Sequence, residues 1–410
     1  MDARTAESGI VAAPSRAAGA TYGILAAISV CHCLNDLLQS LVPAIYPLLK
    51  TAYGLDFGQI GLITLAFQMT ASLLQPLVGV YTDRHPQPFS LPVGMLLTLS
   101  GLLLLSVAAS YGTILIAAAL IGTGSSIFHP ESSRVVRMAS GGRHGTGQSI
   151  FQVGGNFGSA IGPVLAAFIV VPKGQGSVAW FSGGALVAML ILLQVGRWYR
   201  ARLLARVGAK ASQHRAVILS RRRIGAAIAI LVLLVFAKNF YTAAFTSYYT
   251  FYLIDHFGVS VQFAQLSLFV FLASLAVGTM AGGPFSDRFG SKAVIWFSIL
   301  GALPFTLALP FMDLTWTLIL TVPIGVIVGS ATPQLVVFGQ ELLPGRVGLV
   351  SGLLLGLSFG MGGLGAALLG QLADHTSIAF VYRLCAWLPA IGLLAAFLPN
   401  TRQTGPALSR

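Results

Sequence analysis

The sequence predicts an all-α membrane protein, with twelve transmembrane helices in two pseudo-symmetric six-helix halves. Three observations carry this. Of 410 residues, 56% are hydrophobic and 9% charged, against about 25% charged in a soluble domain; so few charges cannot coat a globule of this size. Apolar stretches of the roughly 20 residues needed to cross about 30 Å of hydrocarbon recur from end to end. A short pattern of glycine, aspartate and arginine appears twice, once in each half of the chain.

The spans fall at about 22–49, 57–81, 89–109, 112–138, 146–171 and 177–198. After a polar gap come 224–254, 261–285, 293–312, 314–340, 347–372 and 377–398. Leucine, alanine and glycine run on without alternation, as in Leu102–Leu105. That is helical, because barrel strands alternate polarity over about ten residues. The connections are too short for a soluble domain. The longest polar segment, 199–223, contains Arg200, Arg202, Arg206, Lys210, Arg215 and Arg221–Arg222–Arg223. It reads as a basic, lipid-touching linker between an N-terminal half, 1–198, and a C-terminal half, 224–410.

A net charge of +13 raises the possibility of a nucleic-acid partner, but the placement of the charges excludes it. With the N-terminus in the cytoplasm, Lys50, Lys173 and Arg383 fall outside and Lys238 falls within a span, leaving 20 of the 24 lysines and arginines in or near cytoplasmic segments. The positive-inside rule therefore expects both termini in the cytoplasm. Such basicity also favours contact with anionic lipid headgroups. The first 20 residues are small and polar, so the first span is expected to direct insertion itself. Cys31, Cys33 and Cys385 all sit in apolar segments, which argues against a disulfide framework.

The repeat sets the architecture. Gly79-Val-Tyr-Thr-Asp83-Arg84 follows the second span and Gly283-Pro-Phe-Ser-Asp287-Arg288 the eighth, an offset of 204. Gly142-Arg143-His144-Gly145 precedes the fifth span and Gly345-Arg346-Val347-Gly348 the eleventh, an offset of 203. Duplicated halves of this kind place a substrate site between them, near the midplane. Gly79, Asp83, Arg84, Gly283, Asp287 and Arg288 are expected to form a gate, pairing with neighbouring helix ends in one arrangement of the halves and releasing them in the other.

These loops resemble the signature Gly-x-x-x-Asp-Arg-x-Gly-x-Lys/Arg of the major facilitator superfamily. The second copy continues with Gly290 and Lys292, whereas the first reads His85-Pro86-Gln87. Other stretches are more specific: His32-Cys-Leu-Asn35-Asp36 through Pro47, Gln59 through Gln75-Pro76-Leu-Val-Gly79, Phe128-His129-Pro130-Glu131-Ser-Ser-Arg134, and Gly141 through Gln152-Val-Gly154-Gly155-Asn156-Phe-Gly158. Together they resemble the fosmidomycin-resistance branch of that superfamily, most strongly over 32–163. The resemblance implies a proton-driven drug exporter of a bacterial inner membrane, working by alternating access as a monomer without a cofactor. A phosphonate anion would be in character as substrate. Proton-coupled import of a small anionic metabolite uses the same rocking halves and stays open.

Ionisable groups inside the membrane cost at least about 2.5–3.5 kcal/mol on insertion scales, so each needs a role. His32 and Asp36 share a helix face near mid-depth; they and Glu131 are the candidates for proton coupling. Asn35 beside them, and Arg134 three residues after Glu131, are candidates for substrate binding. Protonation of Glu131 would free Arg134 for an anion or another helix. Lys238, with no acid within four residues, is the candidate for recognising substrate charge; otherwise it pairs with Asp36 or Glu131 across the halves. Gln68, Gln152, Asn156 and Tyr241 are candidate cavity residues, since amides in lipid usually face the bundle interior. Gly158, Gly162 and Pro163 resemble the fifth-helix motif of antiporters and predict close helix packing. His32, Asp36, His129 and Glu131 lack the spacing of a metal-ligand motif, and no phosphate-binding loop is present, so neither an enzyme nor a metal protein is expected.

Overall fold

The computed structural model of the protein describes residues 20–55, 57–207 and 220–401. It is a bundle of apolar helices: α1 (Tyr22–Ala44), α2 (Leu62–Arg84), α3 (Ser90–Ser106), α4 (Tyr111–Ala139), α5 (His144–Lys173), α6 (Gln175–Ala205), α7 (Arg221–Phe257), α8 (Leu266–Phe289), α9 (Ser291–Phe311), α10 (Leu314–Leu342), α11 (Val347–His375) and α12 (Ile378–Phe397). Eleven have the length and apolarity of a membrane span, and α3 is a shorter twelfth. Helices satisfy their own backbone groups, which hydrocarbon cannot do. Ser110, Ser220, Ser260, Asp313 and Ser377 each cap a helix start, accepting a backbone N–H three residues on.

The spans agree with the sequence-based expectation to within a few residues, but the linker does not. Helix continues to Val207 at the end of α6 and resumes at Arg221. Among the described residues, the basic segment expected at 199–223 is therefore helical at its two ends, 199–207 and 221–223. Lys210 and Arg215 lie outside the described residues.

Both described ends and the inter-half connection lie on one side of the bundle, called here the linker face. Thr21 N–H donates to Ala139 O of α4, and Thr401 Oγ1 donates to Glu341 of α10. The halves have separate apolar cores. Phe128, Phe151 and Tyr199 belong to the first. Phe245, Tyr249, Phe271 and Tyr382, with a second cluster around Leu335 and Phe338, belong to the other. Among the described residues no apolar core cluster spans both halves.

Within the first half, α5 lies directly on α1. Gly154, Gly158 and Gly162 recur every four residues on the contact face, and a Cβ at these positions would collide with the backbone of Ser29 and Cys33 and the side chain of Ser40. This is small-residue packing of membrane helices. At Gly158 and Gly162 the close approach joins two helices of the same half. Pro163 sits inside α5, and a π-helical segment, Ala166–Val170, follows it.

The halves touch along α2 with α11 and α5 with α8. The first contact climbs in register: Gly79 abuts Gly348, Gln75 abuts Gly352, and Ser72 abuts Gly356. One turn further, Gly360, Gly362 and Gly363 have no neighbour in reach. The helices thus meet near the linker face and diverge beyond it, leaving a cleft that opens on the opposite face.

This packing has a measurable consequence. Gly158→Val should lower stability by about 1–3 kcal/mol through overpacking, whereas Gly360→Ala should be neutral or slightly stabilising because alanine favours helix. Thermal unfolding of the purified protein followed by intrinsic fluorescence distinguishes them; equal melting temperatures would remove the α1–α5 contact from this account.

Candidate functional site

Two helices, α5 and α11, begin on the linker face with no side-chain cap of their own. A helix start leaves backbone N–H groups unpaired and carries positive dipole charge. In both cases a carboxylate from the other half supplies the missing partner. Asp83, at the end of α2, accepts from the N–H of Gly348 and Leu349 of α11, both at 2.9 Å. Asp287, at the end of α8, accepts from the N–H of Gly145 (2.8 Å) and Thr146 (3.0 Å) of α5, and from the Thr146 hydroxyl at 2.6 Å. Gly79 and Gly283 let the crossing helices come close enough, since a Cβ on either would strike the opposite backbone. The repeat read in sequence is therefore a pair of clasps between the halves.

The cation of the first clasp is not the signature arginine. Arg84 is exposed; the guanidinium on Asp83 belongs to Arg134 of α4, at 2.7 Å. Arg134 Nη2 also donates to Thr82 Oγ1 (3.0 Å), and its Nε to Glu131 at 2.9 Å. Glu131, completely buried, accepts a further long contact of 3.4 Å from Ser90. Arg288, likewise exposed, lies 5.3 Å over the Phe289 ring. Glu131 and Arg134 were expected at a proton or substrate site; the structure places them in the clasp, because α4 carries them toward the linker face.

Sequence reasoning missed a third link. Arg137 Nη1 donates to Gln340 Oε1 of α10 at 3.1 Å, and Gln340 Nε2 donates to Ser133 (2.9 Å) and Ser351 (2.8 Å). Ser133 in turn donates to Gln148. Arg137 and Gln340 are 203 residues apart, the repeat offset itself. Equivalent positions of the two halves meet here on the pseudo-two-fold axis, which the offset alone could have suggested.

Deeper in, three buried side chains converge. Asp36 of α1 is 6% exposed, His32 0% and His129 of α4 1%. His32 Nε2 lies 3.3 Å from Asp36 Oδ2, and His129 Nε2 lies 3.5 Å from Asp36 Oδ1. Each ring is held from behind: His32 Nδ1 donates to Phe151 O at 2.7 Å, and His129 Nδ1 to Ser125 O at 3.0 Å. A carbonyl only accepts, so both Nδ1 atoms carry hydrogen and both Nε2 atoms point toward the carboxylate. Asn35 Nδ2 donates to Asp36 Oδ1 at 3.0 Å. Among the described residues no lysine or arginine reaches Asp36 within ion-pair distance. Phe359 of α11 caps the group from the other half, edge-on to His129 with ring centres 5.0 Å apart.

The remaining candidates divide. Gln152 and Asn156 are half-buried on α5 and joined at 3.3 Å. Gln68 is half-buried on α2, one turn beyond Ser72, where α2 and α11 part. Tyr241 is corrected: it is buried in the C-terminal core against Phe245. Lys238 is half-buried in a crevice formed with Tyr241, Ser298, Ile299, Val328 and Pro389. It donates to Asn239 at 3.4 Å, and among the described residues no ion pair joins it to Asp36 or Glu131. Helix α7 turns it toward α9 and α12 instead of toward the first half.

If the clasps hold the linker face shut, Asp83→Asn should favour opening by about 1.5–3 kcal/mol, the scale of a charged hydrogen bond. A cysteine at Met138, in the linker-face cleft beside Arg134 and Tyr199, should then label with thiol reagent at least about tenfold faster. Unchanged labelling in both Asp83→Asn and Asp287→Asn would mean that something else closes this face.

Comparison with known proteins agrees with this geometry. The family model of the Major Facilitator Superfamily matches residues 28–366. The chain is 57% identical to the fosmidomycin resistance protein of Escherichia coli K12, covering 96% of each chain. It is 42% identical to the uncharacterized transporter YfnC of Bacillus subtilis, covering 93% of this chain and 94% of that one. Among solved structures, the transporter FucP in its outward conformation superposes with a TM-score of 0.70 at 18% identity, covering 92% of this chain and 98% of that one. The proton:xylose symporter XylE gives 0.67 at 15% identity, covering 92% and 95%. The chain is thus a multi-pass membrane protein of the major facilitator superfamily, in its fosmidomycin-resistance branch.

Proposed function

We propose that the protein exports a small anionic drug of the fosmidomycin type in exchange for protons, by alternating access. The observation that carries this is the buried His32–Asp36–His129 group, which meets the other half at Phe359. It gives a buried carboxylate, without lysine or arginine, a proton-binding environment at the point where the halves meet. The 57% identity to a fosmidomycin resistance protein supports the substrate class.

In this reading the linker face is cytoplasmic, in a bacterial inner membrane, and the structure corresponds to the outward-facing arrangement. One chain supplies both walls of the cleft, so a monomer suffices. A proton entering from outside reaches Asp36, assisted by His32 and His129. Phe359 touches His129, so a change at the group is felt by α11, whose start is held by Asp83. Release of that clasp lets the linker face open. Glu131 tunes the clasp through Arg134; once the clasp opens, Arg134 becomes available to an anion. Gln68, Gln152, Asn156 and Asn35 offer hydrogen bonds to substrate. Lys238 contributes positive potential from within the C-terminal half, with Tyr241 shaping its crevice.

The test is a reconstituted vesicle carrying an internal pH dye. Fosmidomycin added outside should make the lumen alkaline if drug enters as protons leave, and acidic if the two enter together. Asp36→Asn should reduce the response at least about tenfold, equivalent to ~1.4 kcal/mol in the coupled step. Glu131→Gln should keep proton binding but shift the opening of the linker face. Drug flux with no pH change in wild type would sink the coupling, and an acidic lumen would reverse the direction.

A further inference from the structure

We infer that His32, Asp36 and His129 also form a binding site for a divalent transition-metal ion, with Zn2+ as the natural probe. The inference uses the same group as the proposed function but rests on its geometry alone.

Zinc bound tetrahedrally sits about 2.0–2.2 Å from histidine nitrogen and carboxylate oxygen, which sets neighbouring ligand atoms about 3.3 Å apart. His32 Nε2 lies 3.3 Å from Asp36 Oδ2 and His129 Nε2 3.5 Å from Asp36 Oδ1, one histidine to each carboxylate oxygen, and one ligand atom from each of the three residues lies within 4.8 Å of the others. Both Nε2 atoms are buried and without a hydrogen-bond partner. Their lone pairs face negatively charged oxygen, an arrangement that a proton or a metal ion between them relieves. The outer layer is already in place. Metal-binding histidines donate their other ring N–H to a carbonyl or carboxylate, as His32 and His129 do to Phe151 and Ser125. Asn35 orients the carboxylate in the same way. The ligand atoms are packed tightly against α5 at Gly155, where a Cβ would fall 2.8 Å from Asp36 Oδ2 and 2.5 Å from His32 Nε2, so only a glycine fits there.

The electrostatics agree. A dication and one carboxylate leave a net single positive charge, shared with two neutral imidazoles, and among the described residues no lysine or arginine pairs with Asp36 to repel the ion. A metal held here occupies the nitrogens that proton exchange would use, so it competes with protons and holds α1 and α4 together beneath Phe359.

The experiment uses the full chain, purified in detergent without a polyhistidine tag, and needs no substrate or gradient. ZnCl2 is titrated by calorimetry and CoCl2 by visible absorption. One ion per chain is expected, with the intense visible bands of tetrahedral Co2+. Affinity should fall at least about tenfold in His32→Asn and in His129→Asn, but not in His256→Asn or His375→Asn, whose rings are exposed elsewhere. Because a buried variant can fail to fold, X-ray absorption at the zinc edge is measured on the wild-type protein as well. A shell containing two imidazoles at about 2.0–2.1 Å supports the site. No binding, undiminished binding in both histidine variants, or an all-oxygen shell overturns it. Any of these leaves the proton reading to stand or fall on the vesicle experiment.

Discussion

Two helix starts without caps organise this molecule. Helices α5 and α11 present free N–H groups and positive dipole charge on the linker face, and the carboxylates that answer them come from α8 and α2 of the opposite half. A backbone donor at a helix end must be met by side chain, water or ligand. Meeting it from the other half ties two otherwise separate cores together at one face. The contact is directional and charged, so it breaks as a unit. Apolar packing between the halves would resist opening more gradually, and the apolar clusters of the described residues stay within their own halves. The divergence of α2 from α11 above Gly356, and the cleft this leaves, follow from closing one end only.

The buried acidic groups then sort by what meets them. Asp83 and Glu131 share Arg134, so each meets a cation that cannot lose its proton. Asp36 has two histidines instead, whose charge depends on protonation. The first set suits a structural clasp. The second suits a site whose charge state changes. Phe359 joins them, since it rests on His129 while belonging to the helix that Asp83 holds. The distance between chemistry and clasp is thus spanned by one side chain and three turns of α11.

Most of the fold was legible in the sequence, for a reason specific to membranes. Hydrocarbon forces long apolar helices, so the spans can be read within a few residues, and a duplicated loop at one offset reveals the halves. The gate aspartates were legible too, because Asp83 and Asp287 sit in that repeated loop. Their partners were not. Arg134 looked like a cavity residue, since three residues from Glu131 is all that local spacing shows; only the crossing of α2 and α4 puts it on Asp83. The orientation of Tyr241 and Lys238 was not legible, because one sequence cannot say which way a uniformly apolar helix such as α7 is turned. That rotation is set by packing against α9, α10 and α12.

The sequence by itself determined the solvent, the number of spans, their pairing into halves and the family resemblance, since these depend on composition, period and repeat. Tertiary structure decided which groups meet. His32 and Asp36 share a helix turn, but His129 is almost a hundred residues away and in no ligand motif with them. It joins them because α1 packs against α4 and against the glycine face of α5, and that close approach is a property of three helices at once. Long-range contact of this kind leaves no local signature, so the chemistry of these three side chains appears only when the chain is folded.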